Sequence, residues 1–315
     1  MLAAGAALAY DESRPEVAAF AKRMQTQYGF DPQEVLEALA PVEPNQTVLR
    51  FIQPATTEGA RSWPAYRKRY VEPVRLKAGL AFWREYADDV RRASRQMGVP
   101  EEIIVAIIGI ETIYGRQTGK FETRAALATL AFDYPARSAL FTRELENLFL
   151  LAREQKEPIS SFRGSFAGAI GYPQFLPSSI RTYAVDFDGS GQIDLNASPV
   201  DAIGSVANFL KQHGWQTGQP VAVPARVESE AALTPFLAAD IQPVWHLDEL
   251  SNAGVSTQED IPPLYTAALL ELPNPRSKSE YWLGFQNFYV ITRYNRSTFY
   301  AMSVFQFAQA LRERM

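Results

Sequence analysis

The chain has 315 residues, enough to bury a large core and to hold two or three subdomains. Hydrophobic residues make up 47% and charged residues 21%, as in globular proteins, and a net charge of −4 with no basic stripe argues against nucleic acid as a partner. There is no cysteine, which excludes disulfides, thiol nucleophiles and cysteine-ligated zinc, and His213 and His246 are too few for a histidine-rich metal site.

The opening MLAAGAALA has the small, apolar character of the end of a secretory signal peptide, with cleavage after Ala9, although the basic start is missing. An N-terminal helix is the other reading. No later stretch reaches the roughly twenty apolar residues needed to cross a bilayer. The spacing of apolar residues predicts a helix in RPEVAAFAKRMQTQYGF, and DPQEVLEAL predicts another, with Asp31 as N-cap and Pro32 at its first position. Residues 41–62 are polar and contain prolines, so a loop or short extended piece is expected. Within them NQT, residues 45–47, matches the weak pattern of a glycosylation acceptor. Helical patterning resumes over residues 63–98, whose charged faces read as solvated.

Residues 99–120, VPEEIIVAIIGIETIYGRQTGK, predict a central helix. Pro100 suits its first position, and Glu101 and Glu102 lie where the helix dipole favours negative charge. Ile103, Ile104, Ala106, Ile107, Ile108 and Ile110 make it apolar all round, so it is expected to be buried. Glu111 continues the stripe of Ile104 and Ile107, and Gly115 suits a left-handed turn closing the helix. A carboxyl on such a stripe should hold its proton to unusually high pH. It is either a core glutamate paired with an arginine or a general acid.

Two more helices are expected, TRAALATLAFDYP stopped by Pro135 and SALFTRELENLFLLAREQ closing near Pro158. The glycine-rich stretch 160–180 reads as a loop or short helical turns, and 199–212 as a helix ended by HGW. After that VAVPARV, AALLELP and EYWLGFQNFYVITRYN read as strands of a small sheet, residues 231–264 as irregular, and SVFQFAQALRER as a terminal helix. The fold class is α+β, mainly α, with a small antiparallel β domain.

DFDGSGQID, residues 186–194, follows the first nine positions of an EF-hand calcium loop. Asp186, Asp188 and Ser190 are oxygen donors at alternate positions, Gly191 supplies the turn, and Gln192 offers its carbonyl. Ala197 stands where a bidentate glutamate is expected; Asp201, at the sixteenth position, can serve as a late carboxylate. The other reading is an Asp/Gly-rich turn without an ion. GRQTGK lacks one residue of a phosphate loop, and GSFAG lacks the serine of a nucleophile elbow, though Ser165 in it can donate a hydrogen bond. No second carboxylate is evident beside Glu111: Glu122, Asp133 and Glu144 all read as surface helix or turn. Ordinary glycosidases use two, so one acid points to a substrate that supplies its own nucleophile.

The strings GIETIYGRQTGKF, GSFAGAIGYPQFLPSSIRTYAVDFDGSGQIDLNASPVDAIGSVANF and NFYVITRYNRSTFYAMSVFQ resemble the lytic murein transglycosylase B family, glycoside hydrolase family 103, in order from about residue 15 to the C-terminus. The resemblance implies a lysozyme-like core flanked by a helical domain and the small β domain. It implies cleavage of the β-1,4 bond between N-acetylmuramic acid and N-acetylglucosamine in peptidoglycan, leaving 1,6-anhydromuramoyl ends. Glu111 matches the catalytic glutamate, acting as acid and then as base. Ser165 and Gln174 match residues at the cleavage site, the first toward the N-acetyl group. Tyr294, Asn295 and Tyr300 match the cleft-lining C-terminal segment, Tyr66 a subsite tyrosine, and Arg137 a basic residue that can meet the peptide stem or lactyl group. Asp186, Asp188, Ser190, Gln192 and Asp201 fall on the family's calcium loop, here with one extra residue before Asp201.

Under the resemblance, residues 10–85 form an N-terminal helical region and 86–216 the catalytic core. Residues 217–293 form the small β region, and 294–315 return to the cleft. The implied partner is the glycan strand of peptidoglycan, with no nucleic acid and no integral membrane segment; proteins of wall synthesis or division are compatible further partners that the sequence does not identify. No cofactor is expected for catalysis, a structural calcium ion is, and the implied location is the periplasm, as a soluble form. A hydrolysing muramidase and a non-catalytic wall-binding protein are the alternatives.

Overall fold

Prolines and capping side chains set where the helices begin. The computed structural model describes residues 9–53 and 62–315; the expected signal remnant lies outside them except for Ala9, and so does part of the expected loop at 41–62. In chain order the first helices are α1 Pro15–Tyr28, α2 Pro32–Leu39, α3 Gln46–Phe51, α4 Trp63–Tyr70, α5 Pro73–Glu85, α6 Ala87–Met97 and α7 Glu101–Thr112. Then come strand β1 Phe121–Glu122, α8 Thr123–Asp133, α9 Ser138–Gln155, β2 Arg163–Gly164, α10 Pro177–Tyr183 and α11 Pro199–Gln212. The rest is β3 Ala222–Val227, α12 Thr234–Ala238, β4 Trp245–His246, α13 Leu247–Asn252, β5 Val255–Ser256, β6 Thr266–Leu272, β7 Glu280–Gly284, α14 Gln286–Tyr294 and α15 Thr298–Arg312.

Asp31 caps α2 as expected, its Oδ1 accepting from the Gln33 N–H at 2.9 Å, with Pro32 first in the helix. The stretch 41–62 is not all loop. Asn45 Oδ1 accepts from the N–H groups of Thr47 and Val48 at 3.0 and 3.1 Å and starts α3. Within NQT, that amide oxygen is a helix cap.

The chain forms two compact units, among the described residues 9–53 with 115–202, and 62–114 with 203–315. In the first, α8 packs along α9, and Phe20 of α1 meets Phe132 and Phe149 at ring distances of 5.9 and 5.8 Å. Arg14 bonds Asp133 Oδ1 at 2.8 Å and the Tyr10 hydroxyl donates to the same carboxylate. Glu144, expected on a surface, is 5% exposed: its two oxygens accept from the Ser178 N–H at 3.0 Å and the Ser178 hydroxyl at 2.7 Å, so it caps the start of α10. The signal for that role is three-dimensional, since the cap comes from another helix.

In the second unit, α7 is enclosed by α5, α6 and α15, and every residue from Ile103 to Ile110 is buried, as its all-round apolarity requires. A five-stranded antiparallel sheet, in the order β4-β6-β7-β3-β5, carries the small β domain. Leu269 faces Leu283 across the β6–β7 pair, and both join Val223, Leu250, Val255 and Phe285 in that domain's core. The β reading of EYWLGFQNFYVITRYN holds only for residues 280–284. From Gln286 the chain is helical, because Asn287, Phe288, Val290 and Ile291 bury one helical face and tertiary packing outweighs the β-propensity of the residues. Asn287 anchors the turn there, accepting from Gln216 N–H at 2.8 Å and donating to the carbonyls of Gln216 and Gln219 at 2.8 and 2.9 Å. Residues 231–264, expected to be irregular, contain α12, α13, β4 and β5. The terminal helix starts five residues earlier than expected, where Ser297 Oγ accepts from the Tyr300 N–H at 3.3 Å.

Candidate active site

The end of α7 is built differently from the sequence expectation. Pro100 is the N-cap, and the helix closes at Ile113 rather than at Gly115. Ile113, Tyr114 and Gly115 have φ values of 50°, 56° and 81°, so a β-branched residue sits in the left-handed region, where only strong packing keeps it. That packing comes partly from two glycines. A Cβ on Gly109 would lie 2.3 Å from the Tyr114 hydroxyl, and one on Gly79 2.4 Å, so the tyrosine folds back into space that only glycines leave open.

Glu111 lies on this last turn, half-buried, two residues before the reversal. The Tyr300 hydroxyl donates to its Oε1 at 2.5 Å. Tyr300 is 3% exposed and stacks with Tyr294 at a ring distance of 6.4 Å and 16° between planes. Burial of the Glu111 carboxyl pushes its pKa from 4.5 up to about 7, against the opposing effect of the Tyr300 hydrogen bond. Burial also raises the tyrosines: Tyr300 and Tyr294 lie well above their ordinary value, helped by the Glu111 charge, and Tyr66 is raised as well. All three hydroxyls therefore stay protonated and can donate. Among the described residues no arginine pairs with Glu111, and no second carboxylate contributes to its shift.

The second unit thus brings together Glu111, Tyr66, Tyr294 and Tyr300. Tyr66 projects from α4, with its ring 5.3 Å from Phe299 and 5.1 Å from Tyr70. Asn295 follows Tyr294 and is exposed; its carbonyl accepts from the Ser297 N–H at 2.7 Å.

The first unit holds the other expected residues. Ser165 Oγ accepts from the N–H groups of Ala167 and Ala169 at 3.3 and 3.1 Å, which leaves its hydroxyl proton to donate outward. Gln174, at φ 51°, spends both amide protons on the carbonyls of Thr118 and Gly171, at 3.1 and 2.9 Å, and so presents Oε1. Bridges from Ile170 to Gly164 and to Phe175 tie the two residues into one folded loop. Arg137 is exposed, on a short 3-10 turn, with its guanidinium 5.3 Å from the Phe141 ring.

The acidic loop folds as its spacing suggests. Asp186, Asp188 and Asp201 each offer an oxygen, all within 4.8 Å of one another. Asp201 is buried: Oδ1 accepts from Phe187 and Asp188 N–H at 2.8 and 3.1 Å, and Oδ2 from Asp194 N–H at 2.9 Å. Ser190 Oγ lies 3.1 Å from the Gln192 carbonyl, and Gly191 turns the loop at φ 90°. Hydrogen bonds from Ser198 and Ser190 hold the Asp188 pKa below the usual carboxylate range. Three converging carboxylates are hard oxygen donors, the ligand type that suits calcium.

A carboxyl with a raised pKa among tyrosine hydroxyls, with no second carboxylate among the causes of its shift, is the arrangement a general acid needs. Comparison with known proteins narrows the class. The model of the transglycosylase SLT domain matches residues 12–309. Membrane-bound lytic murein transglycosylase B of Escherichia coli K12 is 42% identical over 309 residues, covering 95% of this chain and 83% of that protein. Among solved structures, the soluble lytic transglycosylase SltB1 of Pseudomonas aeruginosa has a TM-score of 0.87 and 44% identity, covering 95% and 99% of the two chains. E. coli Slt35 in complex with calcium has a TM-score of 0.83 and 42% identity, covering 95% and 93%. P. aeruginosa SltB3 in complex with NAG-anhNAM-pentapeptide has a TM-score of 0.81 and 29% identity, covering 95% and 79%. This chain belongs to the lytic murein transglycosylase family, with its lysozyme-like fold. Among the described residues no helix is long and apolar enough to cross a membrane.

Proposed function

We propose that this chain cleaves the β-1,4 bond between N-acetylmuramic acid and N-acetylglucosamine in peptidoglycan, with Glu111 as the only acid. The observation that carries the reading is the Glu111 carboxyl itself, its pKa raised to about 7 and its Oε1 accepting from Tyr300, with no second carboxylate among the causes of its shift. Protonated Glu111 gives its proton to the glycosidic oxygen as the bond from that oxygen to muramoyl C1 breaks. The resulting carboxylate takes the proton of the muramoyl C6 hydroxyl as that oxygen bonds to C1, which closes a 1,6-anhydro ring and restores the acid. A pKa near the working pH suits one group to both roles. The N-acetyl group of the substrate and the tyrosine hydroxyls stabilise the positive charge that develops at C1.

Ser165 and Gln174 serve the sugar at the cleavage site, the serine as donor and the glutamine through Oε1. Tyr66, Tyr294, Asn295 and Tyr300 line the glycan path, and Arg137 meets the anionic stem or lactyl group. Asp186, Asp188, Ser190, Gln192 and Asp201 hold a calcium ion whose part is to stabilise the loop, and catalysis needs no cofactor. The functional division is a catalytic core at 86–216 between a helical region at 10–85 and a β region at 217–293, with 294–315 returning to the cleft. The enzyme works in the periplasm, where its substrate lies.

Mass analysis of the products of peptidoglycan digestion tests the reaction. Anhydromuramoyl ends are expected; reducing muramic acid ends without anhydro sugars mean a muramidase, and no cleavage at all means a binding protein.

A further inference from the structure

We propose that Arg75 is a positioning residue for the reaction: its guanidinium fixes the end of the helix that carries Tyr66 to the last turn of the helix that carries Glu111. The proposal rests on the reading of Glu111 as the acid. Arg75 is 8% exposed, at the start of α5. Its Nε donates to the carbonyl of Gly109, two residues before Glu111, at 2.9 Å. Its Nη1 donates to the carbonyl of Arg69 at 2.6 Å, with the Tyr70 carbonyl at 3.4 Å, both at the end of α4.

These bonds reinforce the ends of both helices. The last carbonyls of a helix lack partners, and a cation is favoured at that end. The Gly109 carbonyl already takes the Ile113 N–H at 3.1 Å, so Arg75 adds a second donor on the turn that leads into the left-handed reversal. At the other end the guanidinium lies 5.3 Å from the Tyr70 ring, which packs against Tyr66. The Glu72 carboxylate, 3.9 Å away, accepts from the N–H groups of Val74 and Arg75 and so fixes the backbone from which the arginine springs. A planar fork can meet carbonyls from two helices at once; a lysine ammonium at the end of a flexible stem cannot hold that geometry.

Tyr300 from α15 bonds the Glu111 carboxyl, and Tyr66 from α4 and Tyr294 from α14 lie within reach of its charge, while Arg75 from α5 meets the backbone of the turn at Gly109. Arg75 is not among the causes of the Glu111 shift, so its effect on the acid comes through geometry and not through its charge.

The test compares Arg75→Lys with Glu72→Gln and with Leu250→Ala, a core variant in the β domain. Arg75→Lys keeps the charge and loses the fork. Its turnover should fall roughly a hundredfold, as for a misplacement of about an ångström. Glycan binding, measured with chitooligosaccharide in the Glu111→Gln background, should change by less than about threefold on a scale where tenfold is 1.4 kcal/mol. The alkaline limb of its pH–rate profile should move down as a loosened Glu111 gains water. Glu72→Gln leaves both carbonyl bonds in place and should keep the wild-type limb. Leu250→Ala should lower the melting temperature and leave the limb unmoved. Wild-type turnover in Arg75→Lys, or lost turnover with an unmoved limb, overturns the proposal. Should Glu111→Gln remain active, the reading of the acid fails instead, and Arg75 has nothing to position.

Discussion

Two acidic regions of this molecule treat the same functional group in opposite ways. At the end of α7 one carboxyl is surrounded by tyrosines, and burial pushes its pKa up to about 7. In the loop from 186 to 201, three carboxylates lie within reach of one another, and Asp188 is held below the usual range by serine hydrogen bonds. The difference is in hydrogen-bond supply. Asp188 is hydrogen-bonded by the Ser198 hydroxyl and the Ser190 N–H, which favour its charged form, while the Glu111 contact is one tyrosine hydroxyl, too little to offset burial. One region raises the pKa of a lone carboxyl; the other gathers three carboxylates and lowers the pKa of Asp188.

The largest effect should come from removing the proton. Glu111→Gln is isosteric and can still accept from Tyr300, so the fold should survive while turnover of peptidoglycan falls by about three orders of magnitude or more, with general acid and base roles both lost. Retained turnover would place the acid elsewhere. In the other region, Asp201→Ala orphans three N–H groups and should cost roughly 3 kcal/mol of stability. If the loop binds calcium, the ion should raise the melting temperature of the wild type, since an ion stabilises the state that binds it, and this variant should lose that rise. An undiminished calcium response in this variant would remove Asp201 from the ligand set.

A smaller effect separates the two environments more finely. The Tyr300 hydroxyl is the one contact that lowers the Glu111 pKa, so Tyr300→Phe should push that pKa higher still. The alkaline limb of the pH–rate profile should move up, with turnover reduced about tenfold for one lost charge-assisted hydrogen bond. A limb that moves down would mean that the tyrosine's burial matters more than its hydroxyl.

The raised pKa also has a stability signature. Glu111 ionises at about 7 in the folded chain and near 4.5 when unfolded. Below the lower value the group leaves stability unaffected, between the two the fold loses stability as pH rises, and above about 7 the penalty is constant, on the order of 3 kcal/mol. Glu111→Gln should therefore be more stable than the wild type at pH 8 and equal to it at pH 4. Equal melting temperatures at both would argue that the carboxyl is hydrated.

Much of this was legible in the residues. The all-apolar run from Ile103 to Ile110 required a buried helix, and Glu111 on its stripe required a perturbed acid; both are seen. The spacing of DFDGSGQID gave the loop, and the three aspartates do converge. Other features depend on contacts that local pattern does not encode. Tyr300 reaches Glu111 from 189 positions away, Glu144 is buried by a cap on another helix, and Arg75 bonds carbonyls that could belong to any residue type. Residues 286–294 read as strand because aromatic and β-branched residues dominate them, and the packing around Asn287 and Phe288 decides otherwise.

The most direct measurement is a titration of the Glu111 carboxyl by carbon NMR, with glutamate labelled and Glu111→Gln used to assign the signal. A midpoint near 7, moving upward in Tyr300→Phe, is the expected result. A midpoint near the ordinary glutamate value of 4.5 would contradict the account, because such a group has no proton left to give at neutral pH.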